Sequence, residues 1–180
     1  MKQKGFTLIE AITVTFLVVT LMGISLANFA GIRRSANLES DANLLLIEVR
    51  KAQAEALSPQ RDSGKYSGLT DLDKLCAIGV EVDGEVIQPK YRSVTDGFEC
   101  NNTVPSENWG PSFTLEHSSV VGPYSIFFNT PFATLSKDDL PFDTDGSGAL
   151  EDFKIEMTSQ QDMSLTRSLV IQPSGIISIR

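Results

Sequence analysis

The densest set of oxygen ligands in the chain is Asp143-Thr144-Asp145-Gly146-Ser147-Gly148-Ala149-Leu150-Glu151. A hard cation such as Ca²⁺ takes about six to eight oxygens, and alternating residues on a tight glycine-rich turn aim Asp143, Asp145, Ser147 and a carbonyl near Ala149 at one point. Glu151, Asp152 and Glu156 follow as carboxylates able to complete such a set. The same residues also make a solvated acidic turn with no metal, which Asp-Gly and Ser-Gly favour on their own. Calcium is therefore one of two readings of this loop.

A second carboxylate with chemical content is Glu10. From Phe6 to Ile32 it is the only ionisable side chain, and no proline occurs before Pro59. A helix over 6–32 reaches roughly 40 Å, enough to cross a hydrocarbon core of about 30 Å. An unpaired acid near the bilayer centre costs roughly 2.5–3.5 kcal/mol on insertion scales, so Glu10 calls for a partner. Lys2 and Lys4 precede the stretch and favour a cytoplasmic amino end, an asymmetry that Arg33 and Arg34 weaken from the other side.

Cys76 and Cys100 are the only cysteines, 24 positions apart. In an exported domain such a pair suggests a disulfide, contributing roughly 3 kcal/mol in the chain-entropy model. It would clip the loop from Pro89 to Glu99 against the preceding hairpin. Two reduced buried thiols are the alternative.

Catalysis finds no support. His117 is the sole histidine, predicted within a strand with no nearby Cys, Asp or Ser arrangement resembling a triad. No glycine-rich phosphate loop occurs, and the single Trp109 reads as a packing residue. The formal charge is −8, and with no basic run to neutralise phosphates, nucleic acid is a poor partner.

These groups must be positioned by two kinds of element. Leu38, Asp41, Ala42, Leu45, Leu46, Val49, Ala52 and Ala56 recur at three- and four-residue spacing, so the helix continues past Arg34 as an amphipathic half. Glu39, Glu48, Arg50, Lys51 and Glu55 fall mostly off that stripe, and Ser58-Pro59 ends the helix. Beyond it come strand signals. Cys76–Val82 and Glu85–Ile87 flank Asp83-Gly84, which suits a type I′ hairpin turn. Further predicted strands cover Ser112–His117, Tyr124–Phe128, Phe153–Met157, Leu169–Gln172 and Ile176–Ile179, the last two joined by Pro173-Ser174-Gly175. A long helix followed by antiparallel strands is an α+β order. The expected organisation is 1–5 leader, 6–32 apolar helix, 33–58 amphipathic continuation and 59–180 a β-rich head.

Gly5-Phe6-Thr7-Leu8-Ile9-Glu10, behind Lys2 and Lys4 and ahead of an uninterrupted apolar helix, resembles the amino terminus of the type IV pilin and type II secretion pseudopilin family. The resemblance covers about thirty residues. It implies a pilin fold, cleavage after Gly5 by a prepilin peptidase, and N-methylation of Phe6. It also implies pairing of Glu10 with the amino terminus of a neighbouring subunit. Cleavage would remove Lys2 and Lys4 and take the formal charge from −8 to −10. The implied partners are the peptidase, other pilin or pseudopilin subunits and an inner-membrane assembly platform. The chain would be a single-pass inner-membrane protein with a periplasmic or extracellular head, later part of a filament.

The family often carries a helix proline that is missing here. The Ser168–Ile179 hairpin and Tyr124–Asn129 resemble strands of the minor pseudopilin H and minor pilin T type, which favours a minor subunit. Asp143 to Glu151 is similar to the first nine positions of an EF-hand or dockerin loop, but Lys154 stands at the twelfth position, where that family has a bidentate Glu.

Two plainer readings compete for the amino terminus. One is a secretory signal peptide cleaved after Ser25-Leu26-Ala27, and the other a simple signal anchor. Neither accounts for Glu10. The competing function is an exported or membrane-anchored calcium-dependent binding module that is not built into a filament.

Overall fold

The computed structural model describes residues 7–59, 66, 69, 75–94, 104–132, 134–135, 152–172 and 174–180. The architecture is α+β, one long amino-terminal helix followed by antiparallel sheets. Helix α1 runs from Leu8 to Leu57. Thr7 sits at its start, where its carbonyl accepts the N–H groups of Glu10 and Ala11 at 3.1 and 3.2 Å. At the other end Ser58 N–H donates back to Glu55 at 3.2 Å. Pro59 has no N–H to continue the ladder.

The chain divides after Asn37 into two compact units. In the first, the described apolar side chains of α1 from Leu8 to Ile32 are exposed on every face. In the second, Leu38, Asp41, Ala42, Leu45, Val49, Ala52 and Ala56 form the buried stripe that the spacing predicts. Glu48 is buried beside them, contrary to its expected place off the stripe. Lys51 Nζ holds its Oε1 at 2.5 Å, and the same ammonium lies 5.4 Å from the Phe113 ring centre.

Ten strands follow. β1 (Leu75–Asp83) and β2 (Val86–Ser93) form a hairpin in which Asp83 pairs with Val86. The turn residues are therefore Gly84-Glu85, one position later than expected from Asp83-Gly84. Gly84 has φ 58, the positive value that the first central position of a primed hairpin turn requires. β2 runs through Pro89, so no loop begins there. Pro89 accepts a hydrogen bond from Trp109 N–H at 3.2 Å. In an extended strand the N and C=O of one residue share an edge, so the missing N–H faces outward and leaves the β1 ladder intact.

The other strands are β3 (Ser106–Asn108), β4 (Phe113–Thr114), β5 (Ser118–Val120), β6 (Tyr124–Asn129), β7 (Thr134–Leu135), β8 (Phe153–Ser159), β9 (Thr166–Ile171) and β10 (Ile177–Ile179). One sheet has the order β3-β2-β1-β6-β7 with β4 beside β2, and the other has the order β10-β9-β8-β5. Each strand pairing is antiparallel. The predicted strand Ser112–His117 is not continuous. Only Phe113–Thr114 pairs, with β2, and pairing resumes at Ser118 in the other sheet.

The core joins the α1 stripe to Ile78, Val80 and Val82 of β1, Ile126 and Phe128 of β6, Ile155 and Met157 of β8 and Leu169 and Ile171 of β9. Gly79 lets β1 lie against β6. A Cβ there would stand 2.0 Å from the Ile126 carbonyl oxygen and 2.7 Å from the Phe127 ring. Tyr124 and Phe153 meet edge to face, with centroids 5.8 Å apart, and link the two sheets.

Candidate assembly site

The apolar half of α1 leaves its described side chains uncovered. Leu8 and Ile9 are 82% and 75% exposed, and so is the rest of the described apolar surface up to Phe29 and Ile32, most of it by more than half. The helix over this stretch is long and apolar enough to span a membrane. Its four hydroxyl side chains are all turned back onto the helix. Thr13 donates to the Ile9 carbonyl at 2.5 Å, Thr15 to Ala11 at 2.6 Å, Thr20 to Phe16 at 2.7 Å and Ser25 to Leu21 at 2.9 Å. Each of these hydroxyls thus finds an acceptor without solvent, as a hydrocarbon medium would require.

Glu10 lies in the first turn, where a negative charge complements the exposed N–H groups and the positive end of the helix dipole. Its side chain is exposed. Gly5 and Phe6, the expected cleavage and methylation positions, lie outside the described residues. Glu10 is thus the one member of that constellation whose geometry is described.

In the second unit the helix uses polar groups to dock the sheets. Asp41 Oδ2 accepts the His117 N–H at 2.9 Å and the Ser118 hydroxyl at 2.8 Å. These two bonds tie down the segment between β4 and β5, where the predicted strand Ser112–His117 is interrupted. Arg50 Nη2 donates to the Ile177 carbonyl at 3.2 Å, and Gln53 Nε2 to the Gly175 carbonyl at 3.1 Å, fixing the closing hairpin. Glu55 accepts the Tyr66 hydroxyl at 3.0 Å. Burial, then the Glu55 charge and this bond, hold the Tyr66 phenol above the ordinary tyrosine range. Tyr66 meets Tyr91 edge to face at 5.2 Å, and the Tyr91 hydroxyl donates to Glu107. The helical spacing puts Asp41 on the buried stripe but assigns it no role. An acid at a core position of a helix was the available signal.

Of the other sequence candidates, Cys76, Trp109 and His117 are among the described residues and belong to the second unit. Cys76 is disulfide-bonded, and Cys100, the only other cysteine in the sequence, lies outside the described residues. Asp143, Asp145, Ser147, Ala149 and Glu151 also lie outside them. Among the described residues no group of three or more His, Cys, Asp or Glu side chains is placed to hold a metal. His117 is half-buried with its Nε2 3.9 Å from Glu116. Trp109 packs against the core and donates to the Gly79 carbonyl at 3.4 Å. Comparison with protein-family models, curated proteins and solved structures finds no match to this chain.

Proposed function

We propose that this chain is a structural subunit, of the minor kind, of a type IV pilus or type II secretion pseudopilus. In this reading a prepilin peptidase cleaves after Gly5, Phe6 is N-methylated, and the head is carried outside the cytoplasmic membrane on α1. The subunit then enters a filament through the apolar half of that helix. The fold is read as a pilin fold.

One observation carries this reading. A single 50-residue helix supplies an apolar surface exposed all round at one end and the core stripe of an α+β domain at the other. A simple anchor needs only the first property and a soluble domain only the second. The lone carboxylate in the apolar half adds chemistry that an anchor would not require. Glu10 needs a cation in a medium of low dielectric, and the amine freed by cleavage, still charged after methylation, is one on a neighbouring copy.

The test is Glu10→Ala in the full chain, expressed with its peptidase and assembly machinery. Membrane insertion is expected to stay at the parent level, because removing a charge makes the segment more apolar. Incorporation into sheared filaments is expected to fall about tenfold or more, as the amine loses its partner. Unchanged incorporation would refute the pairing.

A further inference from the structure

The exposed apolar surface of α1 ends abruptly. From Ala11 to Ile32 the residues are apolar or carry only hydroxyl or amide groups, and Arg33 and Arg34 follow at once. Both arginines belong to the first unit, and both are exposed. Arg33 has no ion pair among the described residues. The helix runs through this point without a break, so the two guanidinium groups are carried on a rod continuous with the apolar surface.

Length decides where these charges fall. At about 1.5 Å per residue the stretch from Ala11 to Ile32 covers roughly 33 Å, against about 30 Å of hydrocarbon in an ordinary bilayer. With that stretch in the core, Glu10 lies at one boundary and the arginines at the other, where the phosphate layer begins. A guanidinium on its apolar stem reaches outward to that layer and meets a phosphate with two parallel N–H donors. Near an anionic lipid surface each basic residue is worth about fivefold in affinity. Consecutive residues on an α-helix point about 100° apart, so Arg33 and Arg34 reach two different headgroups.

We infer that Arg33 and Arg34 bind the phosphate groups of anionic phospholipids at one face of the membrane and so fix the depth of α1. The inference rests on the spanning part of the proposed function and not on entry into a filament. No proline interrupts the helix before Pro59, so a depth set at Arg33 is carried along the rod to Glu10. Sliding in either direction is opposed, because it draws the arginines or Glu10 into hydrocarbon. The two arginines therefore hold Glu10 at the opposite boundary.

The experiment titrates phosphatidylglycerol into the full chain in a nonionic detergent and counts the lipids held per chain by native mass spectrometry. The parent is expected to hold about two phosphatidylglycerol molecules in preference to phosphatidylcholine. Arg33→Gln with Arg34→Gln is expected to weaken binding about tenfold or more, and either change alone about fivefold. Arg33→Lys with Arg34→Lys keeps the charges and should stay within about threefold of the parent. Inorganic phosphate at the same concentration should not displace the lipid, which separates a membrane headgroup from a free phosphate. Displacement by inorganic phosphate, or lipid binding that the glutamine pair leaves unchanged, would overturn the contact. Alkaline carbonate washing of membranes carrying the parent chain tests the span separately. A chain that stays in the membrane while its lipid binding ignores the arginines removes the contact alone. Lipid binding that follows the arginines in a chain released by the wash supports the contact and counts against the span.

Discussion

The two halves of α1 are made from the same kind of apolar residue and put them to opposite use. Leu17 is 56% exposed and Leu45 fully buried, although both sit in uninterrupted helix. The difference lies in what surrounds each. Before Arg33 no strand or turn among the described residues supplies a second layer, and the hydroxyls bond to their own helix. After Asn37 every third or fourth residue faces a sheet, and acids and amides on the helix reach backbone groups of other elements. A helix is thus no evidence of its own environment. The apolar pattern is all-round in one half and a stripe in the other, and that difference separates an exposed apolar surface from a core.

Glycines test the contrast most severely. Gly79→Val puts side-chain atoms where the Ile126 carbonyl and the Phe127 ring already lie, and is expected to cost about 3 kcal/mol or more. Gly23→Ala meets nothing within 4 Å and is expected to stiffen the helix by up to about 1 kcal/mol. Unfolding of the full chain in detergent, followed by the fluorescence of the single Trp109, reads the domain. Equal effects would break the distinction.

Truncating the core comes next. Leu45→Ala is expected to destabilise the domain by about 2–5 kcal/mol, while Leu17→Ala should leave its unfolding midpoint in place. Asp41→Ala strands the His117 N–H and the Ser118 hydroxyl, for about 2 kcal/mol, with Asp41→Asn recovering part of the loss. A midpoint unmoved by Asp41→Ala would show that the β4–β5 break needs no carboxylate.

The smallest expected effect is seen in alkali. The folded-state pKa of Tyr66 is raised above its unfolded value, so the proton is held more tightly in the folded chain. Its contribution is fully present below pH of about 10 and is lost as pH rises beyond that, because the unfolded phenol ionises first. Tyr66→Phe should flatten the loss of stability above that pH and change little at neutrality. An identical alkaline slope in both proteins would contradict this.

Much of this layout was legible in the residues, for reasons that can be named. The stripe from Leu38 to Ala56 and the strands around Val80, Ile126, Ile155 and Val170 declare themselves by period, because each must bury one face. The strands at Ser106–Asn108, Ser118–Val120 and Thr134–Leu135 are two or three residues long, and their partners define them rather than any alternation of their own. Pro89 read as the start of a loop because a proline usually leaves a strand, and only the direction of its missing N–H shows otherwise. Glu48 read as a surface residue because charge outweighs position in a helical wheel, yet Lys51 one turn on neutralises it. Asp83-Gly84 suits a hairpin turn by composition, but Asp83 pairs with Val86 and leaves Gly84 as the first turn residue.

The central claim is that Glu10 gains its partner only when Gly5 is removed. Intact-mass and amino-terminal peptide spectrometry of the full chain, expressed with a prepilin peptidase, tests this most directly. The account predicts a mature chain beginning at Phe6 and carrying one added methyl group on its amine. A chain that retains Met1, or one that begins at Asn28, would contradict it.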